Sequence, residues 1–314
     1  MRALRTFEGP LFGRPIGWGS LALTLVAFLG CGGKGATTAD AGDAATTNDV
    51  TGVGGMSGGV HSACPTNLSG PELVRVGWSG GVAFCIDSTE VTNAQYQKFL
   101  TAAAAPAPGT LCLWNTSLVP NTTAPGCQAT FDPVARANHP VVCVDWCDAE
   151  AYCHWAGKHL CRAGSLNGDD PGVVTNPVAS DGSEWVIACT NDHATTYPYG
   201  NEPVAGKCVD KKFLAEMSGV QPVKSALECV GGVAGVYDMA GNASEWQNDC
   251  VEAKSSTDGK DDTCDAYGGA QSSDYADTAC LAAATATDTA AHFTRSQVAS
   301  DNGFRCCADA AFFN

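Results

Sequence analysis

Cysteine gives this chain most of its chemical potential, since its 314 residues include 17 cysteines and six histidines. Thiolates can bind soft metal ions, act as nucleophiles or pair as disulfides, and the spacing of the residues separates these uses. A structural zinc site needs closely paired ligands such as Cys-x-x-Cys beside histidine. Here the cysteines and histidines are scattered along the sequence, which argues against zinc and favours disulfides.

The first 31 residues have the layout of an export signal. Three arginines precede the apolar run "LALTLVAFL", which ends at a glycine followed by Cys31. The run is too short to span a membrane, and a small residue before cysteine is typical of a bacterial lipoprotein cleavage site. We predict a signal peptide over 1–30 and lipidation of Cys31, which would anchor the protein in the cell envelope, on the outer membrane or the cell surface. Ordinary secretion and an uncleaved anchor are the alternatives, because Phe28 stands where leucine is usual.

Export also sets the redox state expected of the remaining cysteines. Sixteen are left once Cys31 is set aside for lipid. An even number in an oxidising compartment indicates a disulfide framework of up to eight bridges.

Residues 31–63 are predicted to be a flexible tether, because they contain no aromatic side chain to bury. Residues 64–314 are long enough for one substantial core. The chain has 17 basic and 33 acidic residues, and the signal peptide carries three arginines and one glutamate. The mature protein therefore keeps 14 basic and 32 acidic residues, a net charge of −18, which opposes binding to nucleic acid and suits cations or basic partners.

Local patterns predict a loop-rich α+β domain. Thr92 and Gln95 form a capping box that predicts a helix over 93–104, and Asp145 caps a second helix that ends near Gly157 and Lys158. "VAFCID" (82–87) and "HPVVCVDW" (139–146) are each predicted to be short buried strands.

Several stretches in order resemble one family. They are "FCIDSTEVTNAQYQKFL" (84–100), "HPVVCVDWCDAEAYCHWAGKHL" (139–160), "YPYGN" (197–201), "GVYDMAGNASEW" (235–246) and "GFRC" (303–306). Together they are similar to the formylglycine-generating enzyme, or sulfatase-modifying factor, domain. The resemblance implies an irregular, loop-rich, disulfide-rich α+β fold related to C-type lectins and often calcium-bound.

The resemblance also implies particular disulfides. It pairs Cys153 with Cys306 and, less closely matched, Cys189 with Cys280. Proximity along the chain suggests four more pairs, and leaves Cys64, Cys85, Cys143 and Cys307 unassigned. The four pairs are Cys112–Cys127, Cys147–Cys161, Cys208–Cys229 and Cys250–Cys264.

The stretch "MAGNASEW" resembles the calcium loop of the family. Carried over, the ligands are backbone carbonyls and one carboxylate: Ala240, Gly241, Ala243 and Glu245. Hard oxygen ligands suit calcium. The competing interpretation is that Asn242 only makes a turn while Trp246 packs in the core.

The family's catalytic chemistry oxidises a substrate cysteine with dioxygen on a copper ion held by two thiolates. When the chain is aligned with the family on Gly268 and Gly269, Ala270 stands where the family has a serine. Ser273 and Thr278 stand where it has the two copper-binding cysteines. A hydroxyl does not replace a thiolate on Cu(I), so we predict no catalytic residues and no copper. A distant free thiol, such as that of Cys307, is the alternative source of a ligand.

Other chemistries find little support in the sequence. His139, His154, His159 and His193 form no paired ligand motif, and we expect His154 and His159 on the exposed side of the helix end. No His-rich helical domain precedes the domain, which disfavours iron, and no hydrolase elbow or nucleotide loop follows a predicted strand.

The leading hypothesis is a non-catalytic module that binds a peptide, protein or glycan, with Trp114 or Tyr275 as candidate contacts. A formylglycine-generating oxidase with an altered site and a purely architectural envelope protein are the alternatives.

Overall fold

Capping residues define where the two main helices begin. The computed structural model describes residues 61–79, 82–103, 107–163, 182–214, 218–253, 257–280 and 291–313. Helix α1 is Asn93–Leu100, and the Thr92 side chain accepts a bond from the Gln95 backbone nitrogen while Gln95 bonds back. Helix α2 is Trp146–Trp155, with Asp145 and Asp148 forming the same reciprocal pair. Two shorter helices, α3 at Glu184–Thr190 and α4 at Lys211–Leu214, follow.

In the described part of the chain, ten short strands form three small sheets. A two-stranded antiparallel sheet pairs β1 with β10, and a four-stranded antiparallel sheet has the order β2-β3-β9-β4. The third sheet has the order β7-β6-β5-β8, in which only β5 and β8 are parallel. The strands are β1 His61–Ala63, β2 Leu73–Val76, β3 Phe84–Asp87, β4 His159–Leu160, β5 Ser244–Val251, β6 Thr263–Tyr267, β7 Ala291–Thr294, β8 Asn302–Gly303, β9 Cys306–Asp309 and β10 Ala311–Phe313.

Aromatic rings join α1 and α2 to the end of the chain. Tyr96 of α1 stacks on Tyr152 of α2 with ring centroids 5.6 Å apart, and Phe304 packs edge-on against both. All three rings are fully buried. Strand β9, which begins two residues after Phe304, is thereby anchored to the two helices.

Two local predictions need correction. Helix α1 ends at Leu100 instead of residue 104, because no large apolar side chain follows in "TAAAAPAP" to be buried. The stretch 139–146 is buried but forms no strand: Pro140 makes an isolated bridge to Thr92, and Cys143 adopts a left-handed φ of 63° that breaks the extended path. The stretch 82–87 does contain β3.

The sixteen cysteines of the described domain form eight disulfides. Four pairs are those that the resemblance or proximity suggested: Cys153–Cys306, Cys189–Cys280, Cys208–Cys229 and Cys250–Cys264. The other four are Cys64–Cys85, Cys112–Cys147, Cys127–Cys143 and Cys161–Cys307.

The Cys112–Cys127 and Cys147–Cys161 predictions are therefore wrong. Cys147 lies in the first turn of α2 and packs in one core cluster with Cys112, which explains their bond. Cys161 directly follows β4, whose His159 is in register with Cys307 of β9. Strand pairing, and not chain proximity, brings these sulfur atoms together.

Some predictions fall outside the described residues. The signal peptide, Cys31 and the tether up to residue 60 are among them. β1 lies in the last three residues of the segment assigned to the tether. Within the described residues, the helices are all too short or too polar to cross a membrane.

Candidate functional site

The candidate site begins where β6 ends, at the Gly-Gly turn. Gly268 and Gly269 have φ angles of 89° and 64°, which favour glycine over other residues. A Cβ on Gly268 would also lie 3.0 Å from the Met239 carbonyl oxygen and 3.0 Å from the Trp185 ring. The turn therefore depends on glycine for both its backbone angles and its close packing.

Ser273 and Thr278 lie next to each other beside this turn. The position of a Cβ on Gly269 would be 3.3 Å from Ser273 Oγ and 3.1 Å from Thr278 Cγ2. The structure thus brings together the two positions that the resemblance assigned to the copper-binding cysteines. Thr278 is buried, and Ser273 is partly exposed.

Both hydroxyls close local turns. Ser273 Oγ accepts a bond of 3.0 Å from the Ala270 backbone nitrogen, and Thr278 Oγ1 donates one of 2.9 Å to the Tyr275 carbonyl. Through these hydrogen bonds, both residues stabilise local turns. Neither supplies the soft thiolate that Cu(I) requires.

No described cysteine retains a free thiol near this turn. Cys280, the nearest in sequence, is bonded to Cys189, and Cys307, the distant candidate, is bonded to Cys161. The seventeenth cysteine, Cys31, lies outside the described residues. A copper site of two thiolates needs two free cysteines, and Cys31 alone would supply only one.

Tyrosines and charged groups border the turn. Tyr197 stacks on Tyr199 with ring centroids 5.5 Å apart and donates a 3.0 Å bond from its hydroxyl to the Ala276 carbonyl. Burial and neighbouring Tyr199 raise the pKa of Tyr197, so its hydroxyl stays protonated. Tyr275 is 39% exposed, and Lys211 Nζ lies 3.4 Å from Asp274.

Trp114, the other candidate contact, is committed to packing. Its Nε1 donates a 2.8 Å bond to the Leu111 carbonyl, and its ring packs against the core cluster that contains Cys112. Tyr275 is therefore the better candidate for an external ligand.

The predicted calcium loop is a tight turn. Gly241 and Asn242 have left-handed φ angles of 72° and 61°, and a Cβ on Gly241 would lie 2.4 Å from the Val209 carbonyl. Trp246 is fully buried, as the competing interpretation requires.

The carboxylate of this loop does not fit a calcium ion. Glu245 is buried and accepts bonds of 2.7 Å from Arg305 Nε, Arg305 Nη2 and Trp185 Nε1. A calcium ion on this carboxylate would lie beside the Arg305 guanidinium, and the two cations would repel each other. Arg305 supplies the positive charge at this position instead.

Two further buried carboxyl groups surround Arg305. Burial raises the pKa of Asp238 to about 6 and that of Glu90 well above its usual range. Glu90 Oε2 and Asp238 Oδ1 have no hydrogen-bond partner. Because the pKa values of both groups are raised, their protonation lowers the cost of burying three carboxyl groups with one arginine.

The histidines considered as metal ligands differ in their exposure. His154 and His193 are exposed, and burial lowers the pKa of the half-buried His139. His159 is not on an open surface as expected, since its Nε2 contacts Glu184 at 2.9 Å.

Sequence reasoning assigned no role to Arg305, Tyr197 or Tyr199. The motifs "GFRC" and "YPYGN" contain them, and an arginine between apolar and cysteine residues was the available signal of a buried ion pair.

Fold and site together define a disulfide-rich, loop-rich α+β domain with two hydroxyls beside a Gly-Gly turn. The model of the sulfatase-modifying factor enzyme 1-like domain matches residues 81–310, and the chain belongs to this family.

Known relatives include formylglycine-generating enzymes of two mammals. The Mus musculus enzyme is 32% identical over 114 residues, which cover 36% of this chain and 28% of the mouse protein. The Bos taurus enzyme is 27% identical over 201 residues, which cover 53% and 49% respectively. The chain thus spans less than half the length of these two relatives.

Solved structures resemble this chain more distantly. PvdO from Pseudomonas aeruginosa gives a TM-score of 0.48 at 18% identity, covering 76% of this chain and 92% of its own. CarF gives a TM-score of 0.43 at 20% identity, covering 80% and 98%.

Proposed function

We propose that this protein is a lipid-anchored envelope module that binds an extended peptide or a glycan and does not oxidise cysteine. The observation that carries the proposal is the pair of hydroxyls, Ser273 and Thr278, at the positions that correspond to the copper-binding thiols. The lipid on Cys31 is part of the same proposal and follows from the sequence around it.

The chemistry of the donor set supports a loss of oxidase activity. Two-coordinate Cu(I) sites are built from thiolate or thioether sulfur, and every cysteine of the described domain is already bonded to another. Reduction of Cys189–Cys280 would free two thiols at the end of the turn segment, but neither of them lies at the positions of Ser273 and Thr278.

The surface beside the turn supports a binding role. Tyr275 offers an exposed ring, and beneath it the buried Tyr197 bonds to the adjacent Ala276 and stacks on the half-buried Tyr199. Aromatic rings with nearby polar groups suit sugar faces and extended peptides alike. Lys211 and Asp274 add charges of both signs.

An activity assay on the full chain tests the catalytic half of the proposal. The chain, with its disulfides kept intact, is incubated with Cu(I), a cysteine-containing peptide and dioxygen. We expect no conversion of the thiol to an aldehyde by mass spectrometry. Aldehyde formation, or stoichiometric Cu(I) binding by the unmodified chain, would contradict the proposal.

A matched variant makes a negative result informative. Ser273→Cys/Thr278→Cys places two thiols at positions that face the same point beside Gly269. We expect this variant to bind one Cu(I) per chain, while the single Ser273→Cys variant does not.

Peptide and glycan arrays probed with the full chain test the binding half. We expect a class of ligand that is lost in Tyr275→Ser and kept in Val134→Ser, a control that removes another exposed apolar side chain. Binding to neither array would favour an architectural role and overturn the binding proposal.

A further inference from the structure

A second group of side chains with metal-binding chemistry lies away from the Gly-Gly turn. His159 on β4, Glu184 at the start of α3 and Asp309 at the end of β9 each offer a donor atom, and these atoms lie within 4.8 Å of one another. The fold brings them together because β4 pairs with β9, with His159 in register with Cys307, two residues before Asp309.

Glu184 forms the rigid part of this group. Its side chain is 1% exposed, and its Oε2 accepts a 2.8 Å bond from the Arg162 backbone nitrogen. His159 Nε2 lies 2.9 Å from Oε2 and 3.2 Å from Oε1. The imidazole thus points its ring nitrogen at both oxygens of a fixed carboxylate.

Asp309 forms the adjustable part, since its side chain is 77% exposed. A tetrahedral zinc ion with bonds of 2.0–2.2 Å holds its ligand atoms about 3.3 Å apart. His159 and Glu184 already lie near this separation. A rotation of the exposed Asp309 side chain would supply the third ligand.

A cation occupies the group already. Arg162 Nη1 lies 2.9 Å from Asp309 Oδ1 and 4.0 Å from Glu184 Oε1, and Nη2 lies 3.4 Å from His159 Nδ1. The Arg162 side chain is 36% exposed, so it has room to turn into solvent. Exposed ion pairs of this kind contribute little to stability, so a metal ion would displace the guanidinium at small cost.

Neighbouring sulfur atoms do not add ligands. Cys161 and Cys307 also lie within 4.8 Å of Glu184, but they are bonded to each other and offer no thiolate. The available donors are one imidazole nitrogen and two carboxylates. This set suits zinc and related divalent transition ions better than calcium, which prefers oxygen alone, or Cu(I), which prefers sulfur.

We propose that His159, Glu184 and Asp309 form a binding site for a divalent transition metal ion such as Zn²⁺, and that Arg162 is the competing occupant in the metal-free protein. Three protein ligands leave one position of a tetrahedral ion open to water or to a donor group of another molecule. The site is independent of the Gly-Gly turn and of the function proposed above.

Zinc titration of the full chain, with any purification tag removed, tests this site. A competing chromophoric chelator reports affinity and stoichiometry, and the titration is repeated with Co²⁺ for its visible absorption. We expect one Zn²⁺ per chain at the site. His159→Gln and Asp309→Asn should each weaken that binding at least about tenfold, as loss of a ligand does.

Two more variants separate this site from surface binding by the acidic chain. Arg162→Gln removes the competing cation and should strengthen zinc binding several-fold. His193→Gln removes an exposed histidine elsewhere and should change nothing. Glu184 is left intact, since it also bonds the Arg162 backbone. Affinity that is equal in the native chain, His159→Gln and Asp309→Asn would overturn the proposal, as would weaker binding by Arg162→Gln.

Discussion

Two overlapping disulfides secure strand β9, and their removal should be strongly non-additive. Cys153–Cys306 and Cys161–Cys307 span 153 and 146 residues and leave adjacent positions of β9. Each bridge therefore closes almost the same loop as the other. Each bridge is removed by replacing both of its cysteines with alanine, so that no unpaired thiol remains.

The chain-entropy model gives the magnitudes. With Cys161–Cys307 intact, Cys153 and Cys306 are already joined through about nine residues, so closing that loop is worth about 2.5 kcal/mol. Deleting Cys161–Cys307 while Cys153–Cys306 is intact opens the same loop of about nine residues and costs the same free energy. Loss of both bridges also opens the large loop, which Cys189–Cys280 shortens to about 56 residues and which is worth about 4 kcal/mol. The double deletion should therefore cost about 7 kcal/mol, against about 5 for the sum of the two single deletions.

Guanidinium unfolding of the four chains, followed by tryptophan fluorescence, measures this coupling. Packing losses from the two alanines of each single deletion recur in the double deletion and largely cancel in the cycle. Removing Cys250–Cys264, which closes its own 14-residue loop in the β5–β6 pair, is the control and should be additive with either bridge. A double deletion equal to the sum of the singles within about 0.5 kcal/mol would refute the shared-loop reasoning.

Three further predictions follow from single side chains. Burial, with Asp265 nearby, raises the pKa of Asp249 to about 6, so the native state resists deprotonation and stability falls as the pH rises from about 4 to 6. Asp249→Asn should lessen that fall and stabilise the protein at pH 7 by about 2 kcal/mol in urea titrations, and an unchanged pH profile would count against it. Because Arg305 holds Glu245 in place of a calcium ion, EGTA should leave the Tm unchanged, and a Tm that falls in EGTA would indicate that the loop binds calcium. Arg305→Met should lower the unfolding free energy by about 3–5 kcal/mol, because it leaves the buried Glu245 carboxylate without its partner. Cys31→Ala should abolish labelling of the expressed protein by radioactive palmitate, and equal labelling of both proteins would disprove lipidation at this residue.

Short-range signals in the sequence predicted the helix starts well. Thr92 and Asp145 cap α1 and α2 because each side chain bonds a backbone nitrogen three residues away, which needs no tertiary information. The predicted end of α1 lies beyond the observed one. The alanines after Leu100 favour a helix, but they offer no large apolar side chain to pack against the rest of the fold. Helix ends depend on packing as well as on propensity.

Pairings across the chain were harder to predict. Cys143 lies in the continuous apolar run "VVCV" (141–144), which is typical of a short buried strand, yet its left-handed φ and its bond to Cys127 belong to an irregular loop. Cys161 and Cys307 meet only because β4 and β9 pair, and a two-residue strand leaves no periodic signal. The contact of His159 with Glu184 crosses an 18-residue stretch outside the described residues, so sequence proximity offered no guide to it.

The shape of the turn segment does not depend on the thiols that it lacks. Gly268 and Gly269 fix the backbone, Ser273 and Thr278 close the two turns with hydroxyl bonds, and Cys280 secures the far end through Cys189. A segment held by these contacts keeps its geometry whether or not copper chemistry is present. The family's fold therefore carries no information about activity here, and the proposal of a non-catalytic role depends on the side chains at two positions.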